Sequence, residues 1–337
     1  MRKLLTIYLF IILITTASLY HETSQAVQYN GNTLYVGGDG PGNYSNIQDA
    51  IDNTSNGDTI FVFNGTYYEN ILVNKSIQLL GENKNITIID GDMKGDVVRV
   101  TADEVTISGF TVMNGGRPYP SFFEGGGIRL DSSSHSIISH NIIKENNMFG
   151  VVVIENTSSY NTISDNIISS NGRYNYKTRS YFNIATIHAP YNTISNNVIE
   201  NALGVGLVVC YWSLNTTVYG NTIRNNKMGG IRGRHFFGNS IYENIIENNT
   251  LFGIRILNES ANNCIERNNF HHNKPLDAFF TISSSSLSNF WDGNYWSRPR
   301  VLPKLIPGYL RPNMDSLIGI PWFAIDWNPA QEPYEIV

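Results

Sequence analysis

Glu155, His188, Tyr211 and His235 fall at one recurring position of the chain, and Arg232, Arg234 and Arg255 fall at positions beside it. Imidazole, carboxylate and phenol groups are the parts from which proton transfer is built. Guanidinium groups hold a carboxylate through paired N–H donors. Together they suit the binding of a carboxylated ligand such as a uronate sugar, and the removal of a proton beside its carboxylate. A sheet face decorated with stacked rings is the second reading of the same residues.

Two longer segments add to this set. GGRPYPSFFEGG carries Arg117, Tyr119, Phe122 and Phe123, and GRYNYKTRSYFN carries Arg173, Tyr174, Tyr176, Lys177, Arg179, Tyr181 and Phe182. Both enter between an Asn-rich turn and the strand that follows, so both are expected to rim the same face. Long loops on a rigid scaffold are where binding concentrates. Ligand contacts are therefore expected from Arg232, Arg234, Arg255, Tyr174, Tyr176, Arg179 and Tyr119, with Glu155, His188, Tyr211 and His235 as the residues available for catalysis.

What puts such residues in register is a repeat. The phrase I-x-x-N-x-I recurs with its Asn at Asn141, Asn166, Asn197, Asn221, Asn244, Asn268 and Asn294, at separations of 25, 31, 24, 23, 24 and 26 residues. A period of this length belongs to a solenoid. Within each unit, apolar residues alternate over four to six positions between Asn and Gly, as in GVGLVVC and GIRIL, which is the pattern of strands. Parallel strands coiled with a rise of about 4.8 Å per turn stack equivalent residues on each other. Asn tolerates left-handed backbone at corners, and its amide can both donate to and accept from its neighbours. The Asn column is thus expected to be a structural ladder. Counting two positions from the leading Gly or Asn of the second strand gives Arg129, Val152, Ala185, Val208, Arg232 and Arg255, all expected to face outward. Counting five gives Ser132, Glu155, His188, Tyr211, His235 and Asn258. Lys144, Ser169, Glu200, Arg224, Glu247 and His271 form a further column that reads as a solvated charge ladder.

Tyr44 to Gly91 reads YSNIQDAIDNTSNGDTIFVFNGTYYENILVNKSIQLLGENKNITIIDG. This resembles the opening of right-handed parallel β-helix proteins of the pectin-lyase-like fold, in which an amphipathic helix caps the first rung. The Asn-rich rungs that follow resemble those of NosD, the nitrous-oxide-reductase maturation protein, and of secreted and archaeal surface proteins that share its repeats. The resemblance implies an all-β, right-handed parallel β-helix of about ten rungs with a short helical cap at its start. It carries no reaction with it. The Gln, Asp and Arg set of pectin methylesterases has no counterpart in GFTVMNGGR. The Asp-Pro-His-acid arrangement of alginate epimerases is approached only by His188-Ala189-Pro190, without the acids.

The ends bound the mature chain. Arg2 and Lys3 precede an apolar run from Leu4 to Ile14, and Ser24-Gln25-Ala26 offers a small-residue cleavage site, so residues 1–26 read as a signal peptide. Residues 27–297 are expected to form the β-helix and 298–337 a proline-rich tail packed on it. No further apolar run of spanning length follows, which places the protein in the secreted, cell-surface or periplasmic class. Removing Arg2, Lys3 and Glu22 from 23 cations and 28 anions leaves 21 and 27, a net charge of −6 that argues against nucleic acid. Cys210 and Cys264 occupy different positions of the repeat and are expected to be separate buried thiols. His271-His272 has no third ligand at a fixed place, and the six Met are not clustered, so no metal or other cofactor is expected.

These residues favour binding or scaffolding with a polysaccharide or cell-envelope glycan as partner. Catalysis by a lyase, epimerase or hydrolase acting on an acidic glycan is the alternative, and copper handling of the NosD kind is the weaker one.

Overall fold

The computed structural model describes residues 31–116, 125–172, 182–257, 259–283, 289–311 and 319–336. The signal-peptide reading lies outside the described residues. Gly31–Val337 is one compact unit.

Isoleucine and valine at every second position give each rung three short strands. One example is Thr217–Tyr219, Thr222–Arg224 and Gly229–Arg234, which belong in turn to three parallel sheets, A, B and C. The chain is a right-handed parallel β-helix, with eleven strands in sheet A, ten in B and eleven in C among the described residues. Ile138, Ile163, Ile194, Val218, Ile241 and Ile265 stack inside sheet A, and Ile143, Ile168, Ile199, Ile223, Ile246 and Phe270 inside sheet B, all fully buried. Between these sheets sits the Asn ladder. In it the backbone N–H and side-chain amide of Asn197 both donate to Oδ1 of Asn221, at 3.0 Å each, and Asn221 repeats the pattern onto Asn244. Asn141, Asn166, Asn197, Asn221, Asn244, Asn268 and Asn294 form one continuous column, as the spacing predicts.

The helix α1 (Ile47–Asn53) buries Ile47, Ala50 and Ile51 against the first rung. Seven residues make a marginal helix, and the opening motif holds both of its ends. Glu69 accepts from the N–H groups of Ile47 and Gln48 at 2.8 and 2.9 Å, while Lys75 donates to the carbonyls of Ile51, Asp52 and Thr54. These are favourable signs of charge at the two helix termini.

The tail adds strands to the coil. Strand Lys304–Arg311 pairs parallel with Leu276–Ser283 and so extends sheet C, before Ile320–Asp326 returns antiparallel to it. The parallel pairs run from Gly308 to Arg311. Pro307 lies just before them, so its missing N–H removes no bond from that ladder.

Candidate functional site

Sheet C carries the residues singled out by the sequence. Its strands Ile128–Asp131, Phe149–Ile154, Phe182–Ile187, Val205–Cys210, Gly229–Arg234 and Phe252–Leu257 place Arg129, Val152, Ala185, Val208, Arg232 and Arg255 in one column. The next column is set by the backbone. Glu155 donates to the Ile187 carbonyl, His188 to Cys210 and Tyr211 to Arg234, which keeps Glu155, His188, Tyr211 and His235 in step. All four adopt positive φ, between 49° and 82°. That strain belongs to the corner as such, since Asn201, Asn225 and Asn248 at another corner share it.

The rings associate along the solenoid axis. His188 stacks on Tyr211 with centroids 5.7 Å apart, and Tyr211 meets His235 tilted at 5.8 Å. Trp212 is sandwiched between His235 at 5.7 Å and Phe237 at 5.3 Å. Further up the corner between sheets C and A, Tyr160 stacks between His135 and Tyr191 at 5.2 and 5.1 Å. Tyr160 and Tyr191 remain 55% and 44% exposed and Trp212 48%, so an aromatic stripe faces solvent. Sequence reading missed Trp212, Phe237, His135, Tyr160 and Tyr191. The signal was present, because His135, Tyr160 and Tyr191 stand at one constant offset before Asn141, Asn166 and Asn197. Glu155 shares the column but has no hydrogen bond to His188 among the described residues.

The cations divide into two groups. Toward the N-terminal end Arg99 and Arg129 both pair with Asp131, at 2.6 and 3.2 Å, so their charges are answered. Toward the C-terminal end Arg232 has no carboxylate partner among the described residues and lies over the Phe182 ring at 4.9 Å. Arg234 lies over Tyr211 at 5.2 Å and donates to its hydroxyl at 3.1 Å, while its buried Nε has no partner. Arg255 stands over Phe279 at 5.5 Å. Burial lowers the Arg232 guanidinium below its ordinary value, and the like charges of Arg255 and Arg234 push the same way. Burial, then Arg234, also lowers His235, whose Nδ1 is buried without a partner. Arg232 and Arg234 therefore bring positive charge with no carboxylate partner among the described residues beside exposed rings.

Facing outward does not make the middle rungs an open groove. Val152, Ala185 and Val208 are fully buried and join Ile154, Ile187, Cys210, Phe149, Phe182, Val205 and Phe252 in a second apolar cluster on the outer face of sheet C. Both faces of these strands are apolar, which is the composition of a strand covered on two sides. The expected cationic groove is confined to the rungs of Arg232 and Arg255. Tyr119, Tyr174, Tyr176 and Arg179 lie outside the described residues.

A family model described as periplasmic copper-binding protein (NosD) matches residues 51–301. The chain belongs to the NosD family. Solved structures resemble this NosD-family chain at low identity. A complex of XylC with xylose aligns at TM-score 0.59 and 12% identity, over 82% of this chain and 71% of that one. The Azotobacter vinelandii mannuronan C-5 epimerase AlgE4 A-module aligns at 0.49 and 13%, over 77% and 78%, and pectate lyase Pel9A at 0.46 and 16%, over 79% and 80%. The likeness to XylC shows the fold alone. No curated protein sequence matches the chain.

Copper donors do not converge in this NosD-family chain. Among the described residues no three His, Cys, Asp or Glu side chains come together. The imidazoles of His135, His188 and His235 are taken up in ring stacks, and His271 and His272 lie with centroids 6.3 Å apart, tilted. Burial pushes the Cys210 thiol up to about 12 and the partly exposed Cys264 to about 11, so both are neutral thiols in the metal-free chain. Cys264 is thus a half-exposed thiol, where sequence reading expected a buried one, because it takes an outward position on its strand. No helix among the described residues is long and apolar enough to cross a membrane.

Proposed function

We propose that this NosD-family chain is an extracytoplasmic scaffold that binds an acidic polysaccharide along the outer C-terminal rungs of sheet C and the aromatic stripe beside them. The observation that supports this most directly is Arg232, a half-buried guanidinium with no carboxylate partner among the described residues and with two further cations on the same face. Such a charge is favourable once a ligand carboxylate reaches it, because a charge-assisted, two-pronged bond replaces the lost water. The outward edges of the stacked rings, at about one rung spacing, would pack against the apolar C–H faces of successive sugars. Location outside the cytoplasm rests on the leader-like residues 1–26 and on the family's description as periplasmic. Among the described residues no donor set supports the copper of that description.

A second reading has one observation in its favour. His235 is held toward its neutral form, with an unpartnered nitrogen, as a general base would be. No carboxylate is hydrogen-bonded to it among the described residues, so the arrangement supports binding better than turnover.

The test is calorimetric titration with polygalacturonate and with its fully methyl-esterified form, at low and high salt. Binding of the acid form alone, weakening as salt rises, is expected. Silence of the acid form at low ionic strength would remove the proposal. Formation of an unsaturated or epimerised product would replace it with the catalytic reading.

A further inference from the structure

The two ends of the coil are closed differently. At the N-terminal end α1 seats Ile47, Ala50 and Ile51 with no exposure. At the C-terminal end the returning strand Ile320–Asp326 roofs the core incompletely and leaves a recess of about 310 Å³. Its floor is Ile256 and Phe280 of sheet C and Trp291 of sheet A, and its rim includes Trp322, Phe323 and Trp327. The rim residues stay 44%, 55% and 65% exposed. The size is at the small end for ligand pockets.

We propose that this recess binds an uncharged sugar ring. No ionisable side chain lines it among the described residues. Its only side-chain amide, Asn289, is already committed, accepting from Asn263 and donating to the Ser260 carbonyl. The side-chain polar groups left over are indole donors. Trp291 is 3% exposed and lines the recess, yet its indole N–H makes no hydrogen bond to the described residues, and neither do those of Trp322 and Trp327. The lining therefore asks for a ligand with apolar C–H faces for the rings and neutral oxygen acceptors for the indoles. A neutral pyranose has both. An acyl chain would cover the Trp291 N–H without pairing it, and a uronate would bring a charge to a lining that has no cation among the described residues. The proposal stands apart from the cationic face, which lies on the outside of sheet C.

Titration calorimetry with xylotriose, cellotriose, mannotriose and maltotriose at millimolar concentration tests it, read alongside saturation-transfer NMR on the same mixtures. At least one trisaccharide is expected to bind, with an affinity insensitive to salt. Trp327→Ala and Trp322→Ala should each weaken binding by about tenfold, as loss of an aromatic anchor does. Arg232→Ala with Arg234→Ala should leave it unchanged, so failure here and failure of the polyuronate reading are separable. Both tryptophans are largely exposed, and a circular dichroism melt of each variant checks that the fold is retained. Absence of binding by all four trisaccharides overturns the proposal. So does binding that survives both tryptophan substitutions, or binding of dodecanoate in place of the sugars.

Discussion

Asp326 Oδ2 accepts both the backbone N–H and the side-chain amide of Asn294, at 3.0 and 3.1 Å, the two bonds that every earlier ladder Asn makes to the Asn of the next rung. The ladder is directional, so its last member has donors and no further rung to receive them. The tail supplies a carboxylate there, which also takes the Trp296 indole N–H at 3.0 Å and, through Oδ1, the Gly293 N–H at 3.1 Å. The ladder between sheets B and C also meets an acid at its last Asn, where the side-chain amide of Asn273 donates to Asp277 of the next strand at 3.1 Å. A column of neutral amides is closed by an acid.

Asp326→Ala should be among the most damaging single changes in the molecule. Asp326 is fully buried, and its removal leaves the backbone N–H of Asn294 and the indole N–H of Trp296 buried without acceptors, while the Asn294 side-chain amide keeps the Ile265 and Asp292 carbonyls. A loss of about 3 kcal/mol or more is expected, since each orphaned donor costs about 1–3 kcal/mol. Denaturant unfolding followed by tryptophan fluorescence measures it, and an unchanged midpoint would show that the tail does not terminate the ladder.

The ladder interior gives a paired comparison. Asn221 donates to Ile194, Tyr219 and Asn244 and accepts twice from Asn197, all within the wall of the coil. Asn221→Leu should cost about 3 kcal/mol. Arg224→Leu removes only a partly exposed ion pair with Glu200 at 2.8 Å, for which about 0–1 kcal/mol is expected. Equal melting temperatures would show that the ladder contributes little.

The same residues show how much could be read from sequence. Asn221 was legible because its role repeats along the chain, and every rung adds to one signal. The columns through Arg232 and His235 were legible for the same reason, since strand register follows from period alone. Asp326 was not, because a terminating residue occurs once and its partner is 32 positions away. Burial of Val152, Ala185 and Val208 was equally hidden, as alternation tells which face a residue takes and not what lies against that face. The recess at Trp291 depends on where a single antiparallel strand comes to rest, which no repeat encodes.

Stability should fall as pH drops below neutrality. Burial lowers His235, with Arg234 and His188 adding to the effect and Glu259 opposing it, and burial lowers His271 against the pull of Glu247. The unfolded imidazoles keep their ordinary value of about 6.5 and so bind protons first as pH falls. Between the two values the unfolded chain holds more protons, so the contribution is fully present above about pH 6.5 and is lost as pH falls through the lowered folded values. Replacing both His235 and His271 by Gln should flatten the decline of melting temperature between neutral and mildly acidic pH. An identical slope in the double variant would assign that decline to carboxylates instead.

Rings and cations at the candidate face should be separable by salt. Arg232→Ala with Arg234→Ala removes two fixed charges, so the remaining affinity for polygalacturonate should be both weaker and less dependent on ionic strength. Screening acts on charges, with a range that shrinks from about 10 Å at 0.1 M salt to about 3 Å at 1 M. Trp212→Ala removes a ring that stacks at 5.7 Å on His235 and 5.3 Å on Phe237, and no charge. Its affinity loss should be about tenfold, near the 1–3 kcal/mol scale of a lost aromatic contact, while the salt dependence stays that of the wild type. Plots of affinity against salt concentration for the three proteins decide the matter. If Trp212→Ala binds as tightly as wild type, the aromatic stripe is packing alone. If the double arginine variant keeps the full salt slope, the ligand's charge is held elsewhere on the molecule.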